Sequence, residues 1–165
     1  MNHATPLRTL PVGRANLPLR ATLLARGAVR GLNRLAPAVD LAIRWIVAGV
    51  FFRSGLTKIA SWDSTLALFE NEYHVPLLPP EAAAFLGTGV ELMFPVLLVA
   101  GLGARFAAAV LFVFNLVAVI SYPDLGEVGL MNHQTWGLLL LVTLLHGPGA
   151  LSLDHWIGKR FFSAH

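Results

Sequence analysis

Long apolar segments alternate with short polar ones along this chain. Four segments, at about 41–60, 81–101, 104–122 and 132–147, are mostly apolar. Crossing a bilayer takes a helix of about 20 such residues, and the fourth segment, the shortest, reaches most of the way. The pattern predicts an all-α fold, a polytopic membrane protein built as a bundle of four transmembrane helices.

An amphipathic segment precedes the first span. Its apolar side chains share one helical face and its basic ones the opposite face: Leu24, Ala28, Leu32 and Leu35 against Arg26, Arg30 and Arg34. A helix of this kind lies on a membrane surface with its apolar face in the lipid. We expect it on the inner leaflet, with Pro37 breaking it before the first span begins.

The sequence predicts two further surface helices, one after the first span and one after the fourth. Apolar and aromatic residues recur at helical spacing after the first span, at Trp62, Leu66, Phe69 and Tyr73, and predict a second interfacial helix with Ser61 or Asp63 as its cap. Pro80 suits the first turn of the second span. Ser152 is placed to cap a short helix after the fourth.

Composition agrees with a membrane location. The chain is 56% hydrophobic without its glycines and 13% charged, with a mean hydropathy of +0.67. Soluble domains contain roughly 45–50% apolar residues with glycine included and about 25% charged ones. The absence of cysteine excludes disulfides, thiolate nucleophiles and cysteine-ligated metal clusters.

The charged loops predict an orientation. Basic residues concentrate before the first span, between the second and third, and after the fourth, including Arg8, Arg14, Arg20, Arg105, Lys159 and Arg160. Acidic residues occupy the other two loops: Asp63, Glu70, Glu72, Asp124 and Glu127. Positive charge favours the cytoplasmic side, so both termini are predicted to be cytoplasmic. The basic charge then reflects topology and anionic lipid, and nucleic acid is not an expected partner.

Three regions follow from these assignments. Residues 1–37 form a basic cytoplasmic N-terminal segment with the amphipathic helix, 38–156 the four-helix membrane domain, and 157–165 a cytoplasmic tail. We find no internal repeat or linker in the sequence.

Glu91 is the principal candidate for chemistry. It lies in the middle of the second span, about 15 Å from each surface at 1.5 Å per residue. An ionisable group there costs at least about 2.5–3.5 kcal/mol unless it is neutralised or paired, and is a functional candidate by default. Two interpretations are open: a pair that only fixes helix packing, or a catalytic role in proton or redox chemistry.

The first span supplies three possible cationic partners for Glu91. Arg53 is closer to it in depth, whereas Arg44 shares a helical face with Gly55, which suits a close helix contact. The two arginines point in nearly opposite directions, so they cannot both face Glu91, and the sequence does not choose between them. Arg44 and Lys58 could instead extend toward the membrane surfaces.

Polar and aromatic residues of the third and fourth spans complete a candidate pocket. Asn115 would seek a hydrogen bond between helices, and Trp136 alone would suit an interfacial belt. Together with Glu91 and Arg53, the side chains of Asn115, His133 and Trp136 could line an outward-opening pocket. Such a pocket would suit a quinone head group or another small ligand.

Haem and metal sites find less support. Histidines are missing from the first three spans, and His133 and His146 of the fourth are about 20 Å apart, so haem between helices is disfavoured. His74, Met131 and His133 could contact copper from the outer side, but ordinary loop roles are commoner for such residues. We therefore predict no metal site and no covalently bound cofactor, with quinone as the candidate ligand.

The order of these residues resembles a known family. The first span reads Arg44-x4-Gly49-x2-Phe52-x2-Gly55-x2-Lys58, the second carries Glu91 and is followed by Gly101-Leu102-x2-Arg105, and the fourth ends in His146-Gly147-Pro148-Gly149. This arrangement resembles the DoxX family of small four-helix membrane proteins over about residues 38–156. The segments SGLTKIASWD, VPLLPPE, SYPDL and NHQTWG resemble the branch associated with metal-stress and modified-peptide gene clusters.

The resemblance implies a location and a role. It implies the inner membrane of a bacterium and a redox association, because related proteins include membrane subunits of a thiosulfate:quinone oxidoreductase. Arg44, Lys58, Glu91 and Arg105 match recurring polar positions, whereas Arg53 departs from a usually apolar one. No agreed mechanism transfers with the family.

Two functions follow from these observations. The first is a membrane subunit that links a redox partner to the quinone pool, an oxidoreductase component if it is catalytic, with quinone bound near Glu91. The alternative is a non-enzymatic scaffold or carrier in copper-like metal or modified-peptide stress. Expected partners are the lipid bilayer, a redox or peptide-handling protein, and a second copy of the chain.

Overall fold

The computed structural model describes the backbone of residues 16–162 and the side chains of residues 21–161. The described residues form six helices and no strand: α1 Asn16–Ala60, α2 Trp62–Asn71, α3 Pro80–Ala100, α4 Ala104–Ser121, α5 Gly126–His146 and α6 Leu153–Phe162. Four of these helices, α1, α3, α4 and α5, are long and apolar enough to cross a membrane. The predicted all-helical, four-span architecture is confirmed.

The chain divides into two compact units, with the boundary between Leu35 and Ala36. In the first unit, the described side chains from residue 21 onward are exposed, and Arg30 Nε donates to the carbonyl of Arg26 at 3.3 Å. The second unit contains the bundle. Residues 1–15 and 163–165, and the side chain of Arg20, lie outside the described residues, so the predictions for Arg8, Arg14, Arg20 and the end of the tail concern residues not described.

Two helix boundaries differ from the predictions. Pro37 lies inside α1 and does not end it, so the predicted break is wrong. A proline removes one intrahelical hydrogen bond, and membrane helices tolerate that loss through local adjustments. Helix α5 begins at Gly126 rather than near residue 132. Its first residues include Gly126, Glu127 and Gly129, which interrupt the apolar pattern although they are helical.

The core of the bundle is small and alanine-rich. Its fully or nearly fully buried side chains are Val47, Ala48, Phe51, Leu98, Ala107, Ala108, Leu111 and Leu140. Small residues such as the two alanines of α4 allow helices to approach closely. Large apolar side chains point outward instead: Trp45, Phe85, Phe106 and Leu145 are each about two-thirds exposed. That inside-out distribution suits a surface covered by lipid.

Helix α2 packs across one end of the bundle, called here the α2 end. Phe69 is buried against Ala83 and Ala84 of α3, with Trp62 packed beside them. Pro80 is the first residue of α3, as predicted. Ser61 precedes α2 but makes no capping hydrogen bond with its side chain, contrary to one of the two caps considered.

The opposite end, called the α6 end, is held by Asp154. Its carboxylate accepts hydrogen bonds from the backbone N–H groups of Gly103 at 2.8 Å and Ala104 at 3.0 Å. These are unpaired donors at the start of α4, where negative charge is favoured. The Asp154 N–H donates to the Gly101 carbonyl at 2.9 Å. Ser152 Oγ accepts from the backbone N–H of His155 and caps α6, as predicted.

Candidate functional site

A cavity of about 310 Å³ lies inside the bundle, toward the α2 end. Side chains from α1, α3, α4, α5 and the α2 region line it, and most of them are apolar. Its aromatic wall consists of Phe51, Phe69, Tyr73, Phe114, Tyr122 and Trp136. Ligand pockets of small molecules are typically concave, mostly apolar and about 300–1,000 Å³, so the cavity is at the lower end of that range.

Glu91 lies in the wall of this cavity and pairs with Lys58. Glu91 is 4% exposed, and Lys58 Nζ lies 2.5 Å from its Oε2. Ser54 Oγ donates to Glu91 Oε1 at 3.0 Å and accepts from Lys58 Nζ at 3.0 Å. Both carboxylate oxygens therefore have donors, which is what a buried carboxylate requires. Of the three possible cationic partners in the first span, Lys58 therefore pairs with Glu91, and Arg44 and Arg53 do not.

Gly55 brings α1 close to this pair. A Cβ at Gly55 would lie 2.9 Å from both Cγ and Cδ2 of Leu92 and 3.1 Å from Cβ of Glu91. Lys58 and Ser54 are four residues apart and share one face of α1, so both reach across the close contact. The three-residue network of Ser54, Lys58 and Glu91 thus depends on a glycine at the helix crossing.

His133 reaches the cavity from α5 and is held by Asn115 of α4. Asn115, 2% exposed, donates from Nδ2 to the backbone carbonyl of His133 at 2.9 Å. Its Oδ1 lies 2.8 Å from His133 Nδ1. The imidazole also packs edge-on against Trp136 at 4.8 Å between centroids. The structure therefore brings His133 and Trp136 into the wall with Glu91, and places Asn115 behind them as a support.

Arg44 lies at the other end of the molecule. It is fully buried, and its guanidinium donates to the carbonyls of Leu98 at 3.1 Å, Val99 at 2.8 Å and Leu151 at 2.5 Å. Two of these carbonyls belong to the last turn of α3, where helices leave acceptors unpaired. Arg44 therefore joins α1, α3 and the segment before α6. The expectations that it pairs with Glu91 or extends to the membrane surface are both wrong.

Arg53 is exposed and does not reach the cavity. It borders a shallow groove between α1 and α3, beside Trp45, Phe52 and Val96. One residue along a helix turns the side chain by about 100°, so Arg53 points away from the side on which neighbouring Ser54 meets Glu91. The predicted place of Arg53 in the pocket is wrong, because depth alone did not show which way it faces.

Four polar residues line the cavity that the sequence did not place there: Ser54, Tyr73, Ser121 and Tyr122. Ser54 could have been found from its position four residues before Lys58. Ser121 Oγ is buried in the cavity wall and has no hydrogen-bond partner among the described residues. Tyr122, beside Ser121, donates its hydroxyl to Glu72 Oε2 at 3.3 Å. No pattern in the sequence distinguishes a serine at a helix end that lines a cavity from one that faces water.

Tyr73 and Tyr122 lie at the α2 end of the cavity, with their ring centroids 5.0 Å apart. Burial raises the pKa of Tyr73 above its usual range, and the negative charge of Glu91 adds to the effect. The nearby carboxylate of Glu72 raises the pKa of Tyr122, through its charge and through the hydrogen bond. Both hydroxyls therefore stay protonated well above neutral pH.

The candidate metal donors do not form a site. No three His, Asp or Glu side chains are grouped to hold a metal ion within the part of the chain that the structure describes. Met131 and His74 are exposed, and Nδ1 of His133 is hydrogen-bonded to Asn115.

Comparison with known proteins adds two matches. A family model described as DoxX matches residues 39–123. An uncharacterized protein of Haemophilus influenzae is 35% identical over 130 residues, which cover 73% of this chain and 84% of that protein. No solved structure matches. The family match covers α1 from residue 39 through α4, and so includes the Lys58–Glu91 pair and Asn115 but not His133.

Proposed function

The chain belongs to the DoxX family and is a multi-pass membrane protein, and from its cavity we propose that it is the membrane subunit of a redox system that binds a quinone beside the Lys58–Glu91 pair. In this role it links a redox partner protein to the quinone pool. The observation that carries the proposal is a mostly apolar cavity inside a membrane bundle with one ion pair in its wall.

The residues present suit a quinone ring. Aromatic side chains such as Phe51, Phe114 and Trp136 offer flat apolar surface, against which a planar ring can stack. The ring oxygens need hydrogen-bond partners in a site that excludes water. Ser121 Oγ, 1% exposed and without a partner among the described residues, is available for one of them.

The ion pair provides a place to hold a proton. A bound quinone supplies two-electron, two-proton chemistry, which the protein must support with proton carriers. Lys58 Nζ donates to Glu91 Oε2 at 2.5 Å, so a proton is held at the cavity wall between two groups that can both bind it. Away from bulk water the charged and neutral forms of such a pair are closer in energy than in solution. A net gain or loss of one proton would leave an uncompensated charge at the cavity wall, so the pair can pass a proton to or from a bound ligand only when that proton is replaced or removed in the same exchange.

The orientation and membrane belong to the same proposal. Basic Arg105, at the start of α4, and Lys159 and Arg160 of α6 lie at the α6 end, and acidic Asp63 and Glu72 lie at the α2 end. By the positive-inside rule the α6 end faces the cytoplasm, and the cavity lies toward the outer side. We place the protein in the inner membrane of a bacterium.

Two glycines on the same turn of α3 allow a matched test. Gly87 lines the cavity, and a Cβ there would meet only ordinary contacts, with Phe114 at 3.5 Å and Phe69 at 3.7 Å. Gly89 faces outward, with nothing within 4 Å of its Cβ position. Gly87→Val should fill the cavity with branched methyl groups, and Gly89→Val should not.

The measurement is the quinone that remains with the protein purified in mild detergent, quantified by mass spectrometry. We expect quinone with the native protein and with Gly89→Val, and a loss of most of it with Gly87→Val. Equal quinone in both variants, or none in the native protein, would contradict the proposal. A metal-sensitive deletion strain whose phenotype survives quinone depletion would favour the scaffold or carrier role instead.

A further inference from the structure

The amide of Asn115 fixes which nitrogen of His133 carries hydrogen. The backbone carbonyl of His133 can only accept, so the group 2.9 Å from it must be the Asn115 NH₂. That orientation turns Oδ1 toward the imidazole, at 2.8 Å from Nδ1. Oδ1 also can only accept, so Nδ1 must be the donor. In the neutral imidazole the other nitrogen, Nε2, is then a hydrogen-bond acceptor.

The surroundings keep this arrangement in place. Asn115 is 2% exposed, and Gly137 of α5 leaves room for it, since a Cβ there would lie 3.3 Å from Nδ2. Trp136 packs against the imidazole and limits its rotation. No carboxylate hydrogen-bonds or forms an ion pair with His133 among the described residues, so nothing there favours a second proton on the ring.

His133 lines the cavity with this accepting nitrogen uncommitted, since Nε2 has no partner in the described part of the chain. A hydroxyl of a ligand can donate to it. A carbonyl cannot, because two acceptors would face each other, and Nε2 would lose its contact with water on ligand binding without gaining a partner. Ser121 does not discriminate in this way, since a hydroxyl both donates and accepts.

Resting on the proposed function, we propose that the cavity selects the reduced, dihydroxy form of its quinone ligand, with one ring hydroxyl donating to His133 Nε2. The oxidised form, whose two ring oxygens are carbonyls, would bind more weakly. One hydrogen bond gained in place of one acceptor left unpaired corresponds to about a tenfold difference in affinity.

The test compares the two redox forms of one soluble probe. Short-chain ubiquinol and ubiquinone analogues are titrated, without oxygen, into the full-length protein in detergent, and binding is measured by calorimetry. We expect the quinol to bind about tenfold more tightly. His133→Phe should reduce quinol affinity about tenfold and change quinone affinity less than threefold.

Two further variants separate this role from packing. Asn115→Leu removes the amide that fixes the imidazole, so Nε2 can carry hydrogen and the preference for quinol should fall or reverse. His74→Phe changes an exposed histidine outside the cavity and should leave both affinities unchanged.

The outcomes are distinguishable. Equal binding of the two forms, or tighter binding of the quinone, overturns this inference and leaves the proposed quinone site in place. Binding of neither form overturns both. The preference for quinol over quinone is measured on the native protein and needs no variant, so it tests the inference even if His133→Phe does not fold.

Discussion

Replacing Glu91 by leucine should destabilise the protein because it leaves the ammonium of Lys58 without a counter-charge. The Lys58 side chain is 13% exposed and would keep only Ser54 as a nearby acceptor. Removing one partner of a buried ion pair costs about 3–5 kcal/mol. We expect the lower end of that range, about 3 kcal/mol, because a partly exposed lysine can extend toward water or lose its proton.

Lys58→Met and the double variant, which carries both changes, complete a double-mutant cycle. Lys58→Met leaves a carboxylate that can take up a proton and still bond to Ser54, so we expect a smaller loss than for Glu91→Leu. The double variant replaces the pair with apolar side chains of similar size and should lie within about 1 kcal/mol of the native protein. The coupling energy of the pair would then exceed about 2 kcal/mol.

The unfolding free energy is measured for the native protein, the two single variants and the double variant. The measurement is a denaturant titration in mixed micelles, followed by circular dichroism. Arg53→Met serves as the control, because this exposed arginine has no ion pair among the described residues and its loss should not destabilise the protein. Additive effects of the two single changes, with the double variant as unstable as their sum, would show that Lys58 and Glu91 do not stabilise each other.

Three other predictions concern packing, capping and pH. Gly55→Ala should lower the unfolding free energy by about 1–3 kcal/mol by pushing α1 from α3, whereas Gly89→Ala, with open space around it, should leave it unchanged or slightly higher. Asp154→Ala removes the acceptor for the first N–H groups of α4 and should cost about 0.5–2 kcal/mol by the same titration. Because the pKa of Tyr122 is raised in the folded protein, the stability that its hydroxyl contributes is present below pH 10 and is lost as the pH rises through the folded pKa. In Glu72→Gln, ultraviolet titration should show the pKa of Tyr122 shifting back toward 10. An unchanged pKa would contradict the contact with Glu72.

The sequence predicted the spans because apolar length is a local property. It also singled out Glu91, since mid-span depth alone makes a carboxylate unusual. It could not choose the partner: Lys58 lies near the end of its span, where extension to the surface explains a lysine equally well. The choice depends on how α1 and α3 cross at Gly55, and no single-helix pattern contains that contact.

The place of His133 shows a second limit of the pattern. With the fourth span starting near residue 132, His133 was expected close to the surface. Because α5 begins at Gly126, His133 lies seven residues into the helix, about 10 Å from its start. Gly126, Glu127 and Gly129 lower the local hydropathy of the first turns of α5, so the apolar pattern did not show where the helix begins.

Photo-labelling can show whether a quinone occupies the cavity beside Lys58 and Glu91. A photoreactive quinone analogue is irradiated with the protein in lipid nanodiscs, with and without excess unlabelled quinone, and the labelled residues are mapped by mass spectrometry. We expect label on cavity residues such as Phe114, Tyr73 and Trp136, and we expect unlabelled quinone to reduce it. Label confined to outward-facing residues such as Phe85 and Phe106, or label that unlabelled quinone does not reduce, would contradict the proposed quinone site.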